Sequence, residues 1–477
     1  MEKFKKIIEW LIILAWIPIS VYYFYPQNIE SLENDFSKIT ISGDSQWWII
    51  LYNNKKIGYS FIKYTPKKDS VSVKDFMFMK INAFGKTQVL YSVIDADLTK
   101  ELKINNFSFK ITNPTGINFS GNGKFENNRL KIKMTTPAGT ENINFSVNNR
   151  PYLPDVIYRV LMKENLAPGK KYQFPVYDPL LGKEIKGNVE VIEKLTYRFN
   201  RMLIPVYKLK FSYSNNEVTT LLSKEFGVIE ETSGNGFKSK RVNKKDALTP
   251  VEAVNLIWST AIKSNMKINN KEQIKKISYK LSGLEINKYD LNGDNQSIDE
   301  DLLTINKVEI PKSVNSQELK GMKEYLKRTP FIQVNAKPFI KTVNKIITGD
   351  PIDTTRQLNH WVYKYLKKES VISVPSALDV YYLKKGDCNE HSILLTALLR
   401  TANIPARQSA GVVYQDGYFF YHAWVDVYLG KWIPIDPTFD QMPADVTHIR
   451  FINGDLDQQG KVLSLINKLK IEVIDYK

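Results

Sequence analysis

The chain has 477 residues, of which 43% are hydrophobic and 12% are aromatic, and its formal net charge at pH 7 is +17. Such a length exceeds what one hydrophobic core serves, so we expect two to four domains. The hydrophobic and aromatic fractions are those of a globular protein and exclude an intrinsically disordered chain. A single cysteine excludes an internal disulfide.

The positive net charge comes from 67 Lys and Arg residues against 50 Asp and Glu residues. These basic residues are scattered and form no single stripe, so we expect no nucleic-acid partner. An anionic membrane surface or an anionic cell-envelope polymer fits the charge. A bias in nucleotide composition, indicated by the abundance of Lys, Asn and Ile, would explain the positive net charge without any binding partner.

The first 26 residues are predicted to be a membrane anchor. Residues 7–25 are apolar apart from Glu9 and Ser20, which is the short end of the length of a membrane-spanning helix. Aromatic residues cluster toward both ends of this run, as interfacial anchors do. The end of the run lacks the small residues of a cleavage site, which favours an uncleaved anchor over a cleaved signal peptide.

The orientation of this anchor follows from the lysines before it. Lys3, Lys5 and Lys6 precede the apolar run, so the N-terminus is expected to stay cytoplasmic and the bulk of the chain to be exported, to the periplasm or the cell surface. The polar residues 27–45 are predicted to be a linker. The lipid bilayer is therefore an expected partner of the first helix.

Residues 46–248 are predicted to form a β-rich domain. Short alternating runs recur along it, and residues 48–52 and 57–64 flank the turn Asn53-Asn54-Lys55, which indicates a hairpin. A lone helix is predicted within residues 152–164. We expect one large antiparallel sheet, curved or closed to a half-barrel, whose apolar face packs on itself or on this helix. A lipid or polymer bound on that face remains an alternative.

Residues 249–328 are predicted to be a mixed α/β connecting region. Thr249 as N-cap and Pro250 at the first helical position predict a helix to about residue 264. Residues 275–286 and 302–310 are predicted strands around a polar loop. Asp290, Asn292 and Asp294 in that loop have the spacing of the first ligands of a calcium site. The loop lacks the glycine and glutamate of that motif, so we expect no calcium there.

The run from Gly386 to His391 contains the only cysteine, Cys388. Apolar residues recur at helical spacing after it, which predicts a buried helix. Asp387 is a plausible N-cap and places Cys388 in the first turn. The free N–H groups of a helix start favour a thiolate, which is the nucleophilic form of cysteine.

Two partners for this nucleophile lie on a predicted hairpin. Residues 421–428 alternate like a strand, residues 429–431 form a turn, and residues 432–438 return. In that register Tyr428 faces Trp432, and Asp436 lies diagonal to His422 on the same face, within side-chain reach. A cysteine, a histidine and a carboxylate in these positions have the arrangement of a papain-like Cys-His-Asp site.

The other histidines are given lesser roles. His391 is predicted to be a hydrogen-bonding residue of the helix start, and His448 to be structural. Because the sequence shows no second cysteine and no tight histidine cluster, we expect no zinc site and no other metal or cofactor. Trp424 either shields the imidazole of His422 or belongs to the core. The oxyanion hole is expected to use the backbone N–H of Cys388, with Gln333 or Trp361 as candidate side-chain donors.

Four short runs of the sequence form a pattern: residues 386–391, residues 403–407 (NIPAR), Tyr-His-Ala-Trp-Val at residues 421–425 and Asp-Pro-Thr at residues 436–438. Together they resemble the bacterial transglutaminase-like superfamily. The resemblance is strongest over residues 329–451, and residues 48–59 resemble the β-rich module that often precedes such domains. It implies a catalytic domain over residues 329–477 with an α+β, papain-like fold. The roles it implies are nucleophile for Cys388, general base and acid for His422, and orienting carboxylate for Asp436.

This resemblance implies an exported, membrane-anchored cysteine acyl-transfer enzyme that acts on protein or peptide substrates. Water as acceptor would make it a protease or amidase, and an amine as acceptor would make it a transglutaminase. The other hypothesis is a transglutaminase-like binding or assembly module of the cell envelope with little or no turnover. The oligomeric state is not predicted.

Overall fold

The computed structural model describes residues 45–477 except 84–85, 113–117, 137–138, 148, 179–182, 214–215, 235, 256–259, 330, 370–375, 455–461, 463–464 and 466–467. The predicted anchor, residues 1–26, and all of the predicted linker but its last residue lie outside the described residues. No helix in the described part of the chain is long and apolar enough to cross a membrane.

A large antiparallel sheet dominates the first half of the described chain, as predicted. Its strands are β1 (Ser45–Tyr52), β2 (Lys55–Pro66), β3 (Val71–Ala83), β4 (Lys86–Leu98), β5 (Ile104–Thr112), β6 (Asn118–Glu126), β7 (Arg129–Thr136), β8 (Gly139–Ser146), β9 (Lys171–Asp178), β10 (Lys183–Phe199), β11 (Met202–Tyr213), β12 (Asn216–Ser223), β13 (Gly227–Ser233) and β14 (Phe237–Val242). Their order in the sheet runs from β8 down to β1, then β14 down to β9. Each strand therefore pairs with its neighbour in sequence, and β1 and β14 join the two runs.

This sheet is strongly curved. The ring of Phe107 on β5 lies 5.2 Å, centroid to centroid, from the ring of Tyr177 on the edge strand β9, although many strands separate β5 from β9 in the order of the sheet. Inside the curve, Leu98, Ile104 and Leu130 are fully buried. Long alternating strands with one apolar face can bury that face by curling over it.

A short helix fills the rest of the interior. A 3₁₀ turn at Pro154–Val156 leads into α1 (Ile157–Leu161), within the segment where a helix was predicted. Ile157 and Leu161 pack with apolar residues of β9 to β12 in one buried cluster. The apolar face of the sheet thus packs on itself and on this helix.

The helix predicted for residues 249–264 is not found at residues 249–255 or 260–264, and residues 256–259 lie outside the described residues. The helix found nearby, α2 (Lys244–Ala247), ends before it and is capped by Asn243. After it, β15 (Val254–Asn255) pairs in parallel with β3, and β16 (Ile262–Lys263) pairs with a later strand. Cross-strand hydrogen bonds along existing sheet edges therefore outweigh the helix-start signal of Thr249-Pro250.

The remaining strands form smaller sheets: β17 (Lys276–Ser282), β18 (Gln296–Asp299), β19 (Leu302–Asn306), β20 (Lys367–Lys368), β21 (Lys385–Gly386), β22 (Ala406–Gln415), β23 (Tyr418–Tyr428), β24 (Trp432–Ile435), β25 (His448–Asn453) and β26 (Lys470–Tyr476). One sheet has the order β16-β23-β22-β25, with β24 also paired to β23, and another has the order β18-β19-β17-β26. Strands from the predicted connecting region thus pair with strands of the predicted catalytic region.

The helices of this half are α3 (Ser316–Gly321), α4 (Lys337–Ile346), α5 (Pro351–Tyr365), α6 (Ala377–Leu383) and α7 (Cys388–Thr401), with 3₁₀ turns at Ile286–Lys288 and Lys323–Leu326. The central helix α7 packs against α4, α5 and α6 and against strands β22 and β23. Every residue from 390 to 400 is buried. The start of α7 is therefore held between the helices and the sheet.

The polar loop that contains Asp290, Asn292 and Asp294 forms ion pairs with two arginines. The carboxylate of Asp294 forms ion pairs with Arg407 and Arg450, and the flanking segments are the predicted strands, β17 and β19. Asp294 therefore ties this loop to β22 and β25.

Candidate active site

Cys388 is the first residue of α7, and the predicted N-cap, Asp387, is confirmed. The Asp387 carboxylate accepts a hydrogen bond from the N–H of Asn389 at 3.0 Å. In return, the carboxylate of Glu390 accepts from the N–H of Asp387 at 2.8 Å. This reciprocal capping box satisfies the helix start and fixes the backbone that carries the cysteine.

The glycine before this cap is required by close packing. A Cβ added at Gly386 would lie 2.1 Å from the Cβ of Glu390. Gly386 also belongs to β21, which pairs in parallel with Lys367–Lys368. The Gly-Asp-Cys order therefore serves the geometry of the turn as well as its chemistry.

The hairpin that follows has the predicted register. Tyr428 pairs with Trp432 and Val425 pairs with Ile435, so the chain leaves β24 with Asp436 turned toward His422. The Nε2 atom of His422 lies 2.7 Å from Oδ2 of Asp436. Asp436 is fully buried and His422 is 4% exposed, so this hydrogen bond is shielded from water.

The second oxygen of Asp436 is also satisfied. Its Oδ1 accepts hydrogen bonds from the N–H groups of Thr438 at 2.7 Å and Phe439 at 3.2 Å. Burial alone would raise the pKa of Asp436, but His422 and His448 outweigh burial and hold this pKa well below its usual range. Asp436 is therefore a carboxylate with a fixed orientation.

The donor–acceptor pattern defines the tautomer of His422. A carboxylate only accepts, so Nε2 of His422 carries the hydrogen. Nδ1 is then the basic nitrogen of the neutral ring, and it has no hydrogen-bond partner among the residues that the structure describes. This nitrogen is the one available to take a proton from a nucleophile.

Cys388 lies against the same strand. The backbone N–H of Ala423, next in sequence to His422, donates a hydrogen bond to the Cys388 sulfur and lowers its pKa. Burial and the carboxylates of Asp387, Glu390 and Asp436 act more strongly in the opposite direction and hold the pKa of this thiol well above its ordinary value. Burial and these carboxylates therefore oppose the helix start, which by itself favours a thiolate.

His448, for which a structural role is predicted, lies beside His422 and Asp436. Its Nε2 lies 2.9 Å from Oδ2 of Asp436, the oxygen that also binds His422. The ring centroids of His422 and His448 are 5.6 Å apart. The sequence argument that no tight histidine cluster exists is overturned, because tertiary pairing of β22 with β25 brings the two rings together.

These three residues bear on the question of a metal. Among the described residues, His422, Asp436 and His448 form a group whose donor atoms lie within 4.8 Å of one another, close enough to contact one ion. The hydrogen bonds from both histidines to Asp436 satisfy these atoms without an ion.

The remaining predicted site residues have other contacts. Nδ1 of His391 lies 2.6 Å from the carbonyl oxygen of Asp387, which is the predicted hydrogen bond at the helix start. The side-chain oxygen of Gln333 accepts from the N–H of Leu378, and Trp361 stacks on Tyr365. The role of Gln333 or Trp361 as an oxyanion donor stays a prediction.

Two aromatic residues, Trp424 and Phe439, pack against the imidazoles. Trp424 is fully buried, with its ring centroid 6.2 Å from that of His422 and 5.2 Å from that of His448. Phe439, which sequence reasoning missed, stacks on His422 at 5.0 Å. Its position directly after Asp436-Pro437-Thr438 was the available signal. Burial and the charges of Cys388, Asp387 and Glu390 raise the pKa of Tyr421 well above its usual value.

Residues 341–437 match the family model of the transglutaminase-like superfamily. The matched range contains Cys388, His422 and Asp436. This transglutaminase-like domain is thus supported by sequence comparison over the part of the chain that carries the site. No curated protein sequence matches the chain.

Several solved structures show limited similarity. A β-barrel-like protein with a domain of unknown function from Brucella abortus is 12% identical, with a TM-score of 0.34, over 42% of this chain and 95% of the other. A candidate cysteine protease from Cytophaga hutchinsonii is 15% identical, with a TM-score of 0.27, over 43% of this chain and 86% of the other. With TM-scores below 0.5, neither establishes a shared fold.

Proposed function

We propose that this protein is a cysteine acyl-transfer enzyme that acts on protein or peptide substrates, with Cys388, His422 and Asp436 as its triad. The observation that carries the proposal is the buried 2.7 Å hydrogen bond from His422 Nε2–H to Asp436. It leaves Nδ1 as the basic nitrogen, on the strand whose Ala423 N–H contacts the sulfur of Cys388. The transglutaminase-like match over residues 341–437 supports the same class.

In this mechanism the reaction begins with a neutral thiol. His422 takes the thiol proton at Nδ1 as the Cys388 sulfur attacks a carboxamide or peptide carbonyl carbon. The carbonyl π bond becomes an oxyanion, which the backbone N–H of Cys388 stabilises. His422 then returns the proton to the leaving nitrogen as the C–N bond breaks, and an amine departs from a thioester.

The second half-reaction determines the product. A water molecule or a primary amine attacks the thioester, His422 takes its proton, and the Cys388 sulfur leaves. Throughout, Asp436 holds the imidazole and stabilises its protonated form. Hydrolysis gives a protease or amidase, and aminolysis gives a transglutaminase; we favour hydrolysis because water has open access to most such sites.

We further propose that the protein is exported and anchored in a membrane. The support is the apolar run at residues 7–25 and the lysines at its N-terminal side. Extraction of membranes with alkaline carbonate distinguishes an integral anchor, which stays in the pellet, from a peripheral protein, which is released. A variant that lacks residues 2–26 is expected to appear in the soluble fraction.

A second function, a binding or assembly module with little turnover, is favoured by one observation. The pKa of the Cys388 thiol is raised by burial and by three carboxylates, which disfavours the reactive thiolate. In that case Cys388→Ser would preserve the biological role of the protein, whereas an enzyme would lose it.

The decisive experiment uses the full-length protein, a mixture of unfolded protein substrates and the fluorescent amine dansylcadaverine. Mass spectrometry reports new peptide termini, deamidated glutamine and dansylcadaverine adducts, which correspond to proteolysis, deamidation and transamidation. We expect one of these products with the wild type and none with Cys388→Ser or His422→Ala. If no product forms with the wild type under any condition, the enzyme proposal is refuted and the module is favoured.

A further inference from the structure

We propose that His448 is a positioning residue of this site, held as an imidazolium, that shares the carboxylate of Asp436 with His422 and sets how strongly that carboxylate supports a charged His422. This inference rests on the proposed function only for its catalytic meaning. The protonation of His448 and its effect on the thiol can be tested without any substrate.

The protonation follows from the partners of the two ring nitrogens. Nε2 of His448 lies 2.9 Å from Oδ2 of Asp436. Nδ1 lies 3.0 Å from the backbone carbonyl oxygen of Asp445 and 3.5 Å from its carboxylate. Carbonyl and carboxylate oxygens only accept, so both ring nitrogens must carry a hydrogen, and a ring with two N–H groups is the cation.

The surroundings of the ring agree with this charge. Burial of His448 would lower its pKa, but the hydrogen bonds to Asp436 and Asp445 and the charges of those groups raise the pKa to about 9. The charged and titratable groups that face His448 are Asp436, Asp445 and His422, with Lys271 on the far side of Asp445. At neutral pH the ring is therefore charged although it is only 4% exposed.

Asp445 is itself held firmly. Its carboxylate accepts hydrogen bonds from the side-chain amide of Gln441 at 2.9 Å and from the N–H of Thr447 at 2.9 Å. The ammonium of Lys271 lies 3.6 Å from Oδ2 of Asp445, the oxygen that also accepts from Gln441. An alternating row of charges thus runs from Asp436, which also binds His422, through His448 and Asp445 to Lys271.

The consequence for the nucleophile is electrostatic. Oδ2 of Asp436 accepts hydrogen bonds from both imidazoles. The positive charge of His448 therefore neutralises part of the negative charge of Asp436, which would otherwise stabilise a protonated His422. The ion pair of thiolate and imidazolium is therefore disfavoured at rest.

The first test measures protonation directly. Full-length protein labelled at histidine Cε1 carbons gives four NMR signals, one for each histidine. We expect one ring to be doubly protonated at pH 7 and to titrate near 9, and its signal to be lost in His448→Gln. A His448 ring that is singly protonated at pH 7 would overturn the proposal. Binding of one Zn²⁺ that requires His448 would also overturn it, because Nε2 would then be a ligand.

The second test measures the nucleophile. Glutamine at position 448 keeps an N–H donor for Asp436 but removes the charge. We expect the apparent pKa for alkylation of Cys388 by iodoacetamide to fall by about one unit in His448→Gln, because Asp436 then fully supports a protonated His422. His448→Leu removes both the hydrogen-bond donor and the charge, so we expect a smaller fall in the apparent pKa for alkylation of Cys388.

A matched control is His360→Gln. His360 also contacts a carboxylate, with Nδ1 2.7 Å from Oδ2 of Asp440, but this pair is largely exposed. Its replacement should leave the alkylation profile of Cys388 unchanged. An unchanged profile in His448→Gln would overturn the proposal, whether or not the protein turns over peptides. Absence of turnover with the expected alkylation shift would refute only the enzyme proposal.

Discussion

Phe439 lies flat against the imidazole of His422, with ring centroids 5.0 Å apart and an angle of 15° between the ring planes. The ammonium groups of Lys271 and Lys368 lie 5.4 Å and 5.8 Å from the centre of the Phe439 ring. The aromatic ring therefore separates the buried His422–Asp436 hydrogen bond from two cations and from water.

We predict that Phe439→Ala lowers kcat about tenfold or more, because water and the two ammonium groups then reach the imidazole and weaken its hydrogen bond to Asp436. Phe439→Tyr retains the ring and should keep most of the activity. The measurement is the pH dependence of kcat for both variants. Equal profiles for Phe439→Ala and the wild type would show that the ring is only packing.

The capping box at the nucleophile provides a second prediction. Glu390→Ala should lower the free energy of unfolding by about 1–2 kcal/mol, because the N–H of Asp387 loses its buried acceptor. Burial and the nearby Asp387 raise the pKa of Glu390 well above its usual value. Glu390→Gln resembles the protonated side chain and should cost less.

The pH dependence of these variants has a defined sign. A carboxyl whose pKa is raised by folding contributes stability that is fully present below the pKa of the unfolded chain and is lost as the pH rises through the folded pKa. Unfolding by urea should therefore show the stability deficit of Glu390→Gln shrinking between pH 5 and pH 9. If Glu390→Gln is as unstable as Glu390→Ala at every pH, the side chain is ionised in the folded protein.

Gly386→Ala should destabilise the turn before Cys388. The new methyl group would meet the Cβ of Glu390 at 2.1 Å, which the capping box cannot accommodate without moving. We expect a loss of about 2 kcal/mol in unfolding free energy and slower alkylation of Cys388. Gly321→Ala is the control, because nothing lies within 4 Å of its added Cβ. Equal stability of the two variants would contradict the predicted clash.

A prediction for the large sheet concerns the carboxyl of Asp75. Burial, and then the charge and hydrogen bond of Asp155, raise the pKa of Asp75 well above its usual value. The stability associated with the protonated form is lost as the pH rises through the folded pKa. Asp75→Asn cannot ionise and can still donate to Asp155, so its Tm should exceed that of the wild type at pH 8 and approach it near pH 4. A lower Tm at pH 8 would refute this.

The sequence alone predicted the local features of the site. The N-cap at Asp387, the helix after Cys388 and the register of the hairpin follow from neighbouring residues, because capping and tight-turn geometry act over a few positions. The large antiparallel sheet was predictable for the same reason, since its strands pair with their neighbours in sequence. Residues 249–255 and 260–264 were wrongly predicted as helix because distant sheet edges supply partners that a local helix signal does not reveal.

Only the tertiary structure decided what surrounds the triad. His448 reaches Asp436 because β25 pairs with β22, and nothing near residue 448 in the sequence indicates that contact. The surroundings of Cys388 were also decided there: the helix start favours a thiolate locally, whereas burial and three carboxylates raise the pKa of the thiol. The physical reason is that local hydrogen bonds depend on adjacent residues, while desolvation and charge interactions depend on every group that folding brings close.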